Sequence, residues 1–137
     1  MSKSDPEDTY IAILDKPDVI RKKVRRAVTD CENRVVYDPE KQPGVANLMS
    51  ILSALTGQSM DDITAAYDGQ GYGKFKDAVA DAVIATLEPI QNEYDRISAD
   101  KAYLQQVMDS GRDRAGAIAH RTMLKVRKKL GIAPWKI

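Results

Sequence analysis

The sequence predicts an all-α protein, an irregular bundle of about five helices with at most very short strands. Three observations carry this. Every long apolar pattern recurs at three- and four-residue spacing, the period of a helix with one buried face. No alternation of strand-like and helix-like segments occurs, which excludes a parallel nucleotide-binding sheet within these residues. The chain has 137 residues, 43% hydrophobic and 30% charged, enough for one domain, or one and a part, around a core that needs no staples. No apolar stretch of about 18 residues exists, so no membrane span is expected. Met1 to Pro6 is polar and acidic, unlike a signal peptide. The single cysteine, Cys31, excludes a disulfide framework and a cysteine-based metal cage, and a reducing cytoplasm is the expected compartment.

Taken in order, Met1 to Asp8 reads as loop and Thr9 to Leu14 as a short apolar connector. Pro17 suits the first turn of a helix capped by Asp15 or Lys16 and running to about Thr29, with Ile20, Val24, Ala27 and Val28 on one face. Val35 to Tyr37 is β-branched enough for a brief strand. A second helix spans Gly44 to about Leu55, with Val45, Leu48, Met49, Leu52 and Leu55 inward and Gly57 as its stop. Ser59 and Asp62 have the spacing of a capping box for a short third helix ending near Tyr67. Gly69 to Gly73 reads as a turn that needs positive φ, or as a backbone nest for a phosphate. A long fourth helix follows to about Ile97, striped by Phe75, Val79, Val83, Leu87, Ile90, Tyr94 and Ile97, with a kink expected at Pro89. Asp100 opens a last helical region with an expected break at Gly111. Ala115, Ala119, Met123, Val126 and Leu130 then continue its stripe to Gly131.

The net charge of +1 conceals a strong asymmetry. Met1 to Asp30 carries seven Lys/Arg against six Asp/Glu, Cys31 to Gly111 six against thirteen, and Arg112 to Ile137 eight against one. Lys16, Arg21, Lys22, Lys23, Arg25 and Arg26 concentrate the positive charge of the first block. Two basic clusters on a small chain suit a polyanionic partner such as a phosphate backbone, or they are solvated helix faces beside acidic neighbours.

The opening Met1-Ser2-Lys3-Ser4 is a polar segment with one ammonium and two hydroxyls, able to follow a polyphosphate through a reaction. It resembles the last four residues of the KMSKS signature of class I aminoacyl-tRNA synthetases. Arg21-Lys22-Lys23, Ala27 to Asp30, Tyr37-Asp38-Pro39, Lys41 to Val45, Leu55-Thr56-Gly57, Gly71 to Lys76 and Leu87 to Ile90 follow in the order found in bacterial tryptophanyl-tRNA synthetases. The resemblance covers essentially the whole chain, and Gly71-Tyr72-Gly73-Lys74-Phe75-Lys76 favours the tryptophanyl over the tyrosyl group.

The resemblance implies a ligase that joins tryptophan to its tRNA through a tryptophanyl adenylate. Met1, Ser2, Lys3 and Ser4 would contact ATP. Lys3 would be catalytic, stabilising charge on the leaving pyrophosphate mainly in the transition state. Mg²⁺ would arrive with ATP as part of the substrate, with no metal or cofactor tightly bound by the chain. The family also carries an HIGH-type signature on a preceding Rossmann domain. These residues contain one histidine, His120, and no HxGH pattern. The expectation is therefore the C-terminal part of such an enzyme, lacking the catalytic domain and unable to activate tryptophan alone. Residues 1–15 would be the lysine loop and connector, 16–98 the anticodon-binding helices, and 99–137 a helical segment that packs on the catalytic domain. The partners implied are tRNA with the tryptophan anticodon and, in the full-length family, a second subunit in a homodimer. A stand-alone helical RNA-binding module and a helical interaction protein are the rival readings.

Arg21, Lys22, Arg25 and Arg26 are the candidate tRNA contacts by charge alone. His120 lies off the apolar stripe and reads as solvent-facing, and Cys31 lacks a Cys or His neighbour and reads as inert. Tyr72 and Phe75 read as core. Trp135 reads as packed on the bundle, with stacking on a base as the alternative. Asp61 and Asp62 read as helix-dipole partners, not as a metal site.

Overall fold

The computed structural model describes residues 6–132. Met1 to Ser4 and Trp135 lie outside them. A 3₁₀ turn, Glu7–Thr9, precedes five helices: α1 (Pro17–Arg26), α2 (Pro43–Thr56), α3 (Met60–Tyr67), α4 (Tyr72–Ala99) and α5 (Lys101–Leu130). Among the described residues there is no strand. The chain divides into two compact units, residues 1–92 and 93–137.

The first unit holds the core. Ile20 and Val24 of α1, Val45, Leu48, Met49 and Leu52 of α2, Ile63 of α3, and Phe75, Val79 and Val83 of α4 are buried together. Phe75 is fully enclosed, its ring tilted against that of Tyr67 at 5.7 Å. α2 starts with Pro43 in its first turn and ends at Gly57, whose φ of 76° is the left-handed stop its residue type allows. The capping box of α3 is present: the Ser59 Oγ accepts from the Asp62 N–H at 3.1 Å, and the Asp62 carboxylate accepts from the Ser59 N–H at 3.3 Å. Gly69 and Gly71 both have positive φ, as the turn before α4 requires. Gly44 is required for a different reason. A Cβ there would stand 2.1 Å from the Val28 carbonyl oxygen, so only glycine lets α2 start so close to the chain leaving α1.

Several expectations are corrected. α1 ends at Arg26, not Thr29, because Ala27 turns out to ψ 135°. Val28, assigned to its inner face, is 85% exposed. Leu55, Ile90 and Tyr94 are also exposed, so the α2 and α4 stripes are buried over a shorter length than their periodicity suggests. Val35 is buried without a strand. Its N–H donates to the Asp68 carboxylate at 3.1 Å instead of to a ladder.

The second unit is helical throughout its regular part. α5 runs unbroken through Gly111, where a break was expected, and stops only at Gly131 with φ 68°. A mid-helix glycine costs about 1 kcal/mol, which flanking helix-forming residues absorb unless a left-handed turn follows. Asp100 caps α5 by accepting from the Tyr103 N–H at 2.9 Å. No residue of α5 is buried.

Candidate nucleic-acid interface

The candidate tRNA contacts share one side of α1. Pro17 in the first turn, Asp18 beside the positive helix end, and Lys23, Arg25 and Arg26 beside the negative end favour this short helix. Arg21, Lys22, Arg25 and Arg26 are brought together around a shallow surface depression that Asp18 also lines. The structure therefore groups all four, and Arg21 and Arg25 are held by carboxylates. Arg21 pairs with Asp81 at 2.5 Å, and Arg25 makes a two-pronged bond with Asp77, Nε at 2.9 Å and Nη2 at 3.2 Å. The Arg25 hydrogen bond and charge hold the Asp77 carboxyl below the usual range, and Asp77 in turn pushes the Arg25 pKa up. Pairing 21 with 81 and 25 with 77 sends the two helices past each other in opposite directions. The equal four-residue spacing of both pairs was a signal in the sequence that charge counting does not use.

Two further anchors set the α1 end. Lys76, the second lysine of the Gly71–Lys76 segment, is buried. Its ammonium donates to the Ala27 carbonyl at 2.7 Å and to the Arg25 carbonyl at 3.3 Å. It thus satisfies carbonyls the helix leaves open and places a cation at the negative end of the dipole. Burial holds its pKa below the ordinary lysine value. At the other edge Lys23 contacts Asp15 at 2.6 Å and lies over the Tyr10 ring at 5.2 Å. Partial burial pushes the Asp15 carboxyl up, but hydrogen bonds from Lys23 and the Ala12 N–H, with the lysine's charge, bring it below its usual value. Lys23 also lines a groove of about 320 Å³ with Tyr10, Ile11, Leu48 and Val79.

The segment between α1 and α2 is held by polar bonds. The Tyr72 hydroxyl donates to Asp30 at 2.5 Å and lies 3.2 Å from the Arg34 carbonyl. Burial, then the Asp30 carboxylate, push the Tyr72 pKa up to about 12, while the Tyr72 hydrogen bond holds the Asp30 carboxyl down. Arg34 makes a two-pronged bond with Asp68 at 2.7 and 2.8 Å. Asn33 takes φ 56° and accepts from the Tyr72 N–H. Gln42 is buried and donates to Glu32 at 3.1 Å, beside a small pocket lined by Arg34, Asp38 and Lys41. Sequence reading missed these roles because each partner lies ten or more residues away. Tyr72, read as core, is only half-buried and works through its hydroxyl.

His120 and Cys31 are exposed. Asp62 serves the capping box, and among the described residues no cluster of His, Cys, Asp or Glu has the arrangement of a metal site.

The family described as tRNA synthetases class I (W and Y) matches residues 1–88. The chain belongs to this family. A tryptophan–tRNA ligase of Clostridium acetobutylicum is 50% identical over 96% of the chain, and one of Oceanobacillus iheyensis is 47% identical over 96%. The chain spans 39–40% of the length of these relatives. A solved tryptophanyl-tRNA synthetase of Campylobacter jejuni, complexed with ADP and tryptophan, superposes with a TM-score of 0.77 at 26% identity, covering 96% of this chain and 41% of that one. Likeness to these synthetases thus extends beyond residue 88, into the second unit.

Proposed function

We propose that this chain works as the lysine-loop and anticodon-binding portion of a tryptophan–tRNA ligase, which joins tryptophan to its tRNA with ATP through a tryptophanyl adenylate. The observation that carries the reading is 50% identity across 96% of the chain to a relative of that name. Residues 1–15 act as the loop and connector, 16–98 bind the anticodon arm, and 99–137 pack against a domain that holds tryptophan and ATP. Met1, Ser2, Lys3 and Ser4 contact ATP, and Mg²⁺ comes with it as substrate. The Lys3 ammonium meets charge growing on the leaving pyrophosphate, where a compact cation is worth most in the transition state. On α1, Lys22 and Arg26 contact phosphate, while Arg21 and Arg25, oriented by Asp81 and Asp77, present a fixed guanidinium edge. The whole ligase works in the cytoplasm as a homodimer, and there the single thiol of Cys31 stays reduced. Among the described residues no helix is long and apolar enough to cross a membrane.

Binding of tRNA with the tryptophan anticodon, measured against other tRNAs, tests the reading. Selective binding supports it. Equal affinity for all tRNAs leaves only a general RNA-binding module. The chain by itself is expected to give no pyrophosphate exchange, and exchange near the rate of a complete ligase overturns the division of labour.

A further inference from the structure

α5 carries a second basic surface, unlike that of α1. Arg114, Arg121, Lys125 and Lys128 are all exposed. At about 100° and 1.5 Å per residue they fall within about 60° of one another, in a strip about 21 Å long. None of the four forms an ion pair with a described residue; Arg114 bonds only to the Ser110 carbonyl, at 3.3 Å. From Arg112 to Leu130 the single carboxylate is Asp113, and it is already paired with Arg112. The apolar stripe through Met123, Val126 and Leu130 is turned roughly 160° away from the strip. No Phe, Tyr or Trp occurs between Gly111 and Ile132, so the strip offers charge without rings on which bases could stack.

We propose that this strip binds the phosphate backbone of a double-helical arm of tRNA. The inference rests on the tRNA-binding reading above and adds a contact surface outside α1. A straight, rigid row of unpaired cations complements a stiff, evenly charged duplex.

The test uses the full chain and a labelled RNA hairpin of about one helical turn, unrelated in sequence to any tRNA. Anisotropy titrations run between about 50 and 200 mM salt. The wild type is expected to bind with a steep salt dependence. R121Q/K125Q/K128Q is expected to lose about tenfold or more in affinity, with a slope smaller by two to three, at roughly 0.9 per phosphate contact. Its helicity should be unchanged, because all three side chains are exposed. R121K/K125R/K128R, which keeps the charge, should bind like the wild type. Unchanged affinity and slope in the glutamine variant overturn the proposal. So does absence of salt-dependent hairpin binding by the wild type, or binding to phosphatidylserine vesicles without binding to the hairpin. In a parallel titration the glutamine variant should weaken tryptophan tRNA and an unrelated tRNA by the same factor. Loss of selectivity in the wild type counts against the ligase reading and leaves the hairpin result standing.

Discussion

α1 and α5 both look basic in the sequence, yet the middle of α1 meets carboxylates and the row Arg121, Lys125 and Lys128 of α5 does not. On α1, Arg21 and Arg25 face Asp81 and Asp77, and Lys23 faces Asp15. On α5, Arg121, Lys125 and Lys128 face no carboxylate among the described residues. The apolar residues differ in the same way. Ile20 and Val24 of α1 are buried, whereas Met123 of α5 is 47% exposed. A run of lysines and arginines therefore does not by itself define a positive surface. The field depends on which acidic groups the fold brings opposite.

The largest expected effect contrasts the two units. Phe75→Ala empties the centre of the first core and should cost about 3–5 kcal/mol, whereas Met123→Ala should stay within about 0.5 kcal/mol. Urea midpoints of this chain measure both. A comparable cost at Met123 would show that α5 is packed after all. Next, Gly44→Ala drives a methyl against the Val28 carbonyl and should destabilise the first unit by about 1–3 kcal/mol. Thermal melts that match the wild type would remove the close approach of α2 to the chain after α1.

A smaller effect is pH-dependent. An unfolded tyrosine ionises near pH 10, while folded Tyr72 keeps its proton to about 12. The folded state then binds more protons in that window, so stability contributed below pH 10 is lost as pH rises through it. Tyr72→Phe should remove this alkaline slope. It should also weaken the acid-side contribution of Asp30, which is present above the ordinary carboxylate range and lost as pH falls through its depressed folded value. Unfolding midpoints across both ranges decide the matter.

The smallest change in folding, and the most direct probe of the α1–α5 contrast, is Asp77→Asn with Asp81→Asn. Both pairs are exposed, so little stability should be lost. Freeing Arg21 and Arg25 should steepen the salt dependence of RNA binding by about one to two. An unchanged slope would mean that the carboxylates do not mask α1.

How much was legible follows from the range of each signal. The Ser59–Asp62 box, the stops at Gly57 and Gly131, and the stripe from Phe75 to Val83 involve neighbours within a few turns, and all were read correctly. Gly111 misled because a glycine marks a stop only where it takes the left-handed conformation itself, as Gly131 does. Val28 misled because the periodicity that placed it inward continues past the true end of α1.

Local chemistry in the sequence settled the stops of α2 and α5 and the cap of α3, the all-α class and the family resemblance, since caps, periodicity and motifs act between close neighbours. Tertiary structure alone decided which cations are neutralised, where the α1 carbonyls find Lys76, and how Tyr72 ties down Asp30. Those partners stand far apart in sequence, Arg25 and Asp77 by 52 residues and Arg21 and Asp81 by more. A charge separated that far along the chain acquires its environment only when packing brings another element against it.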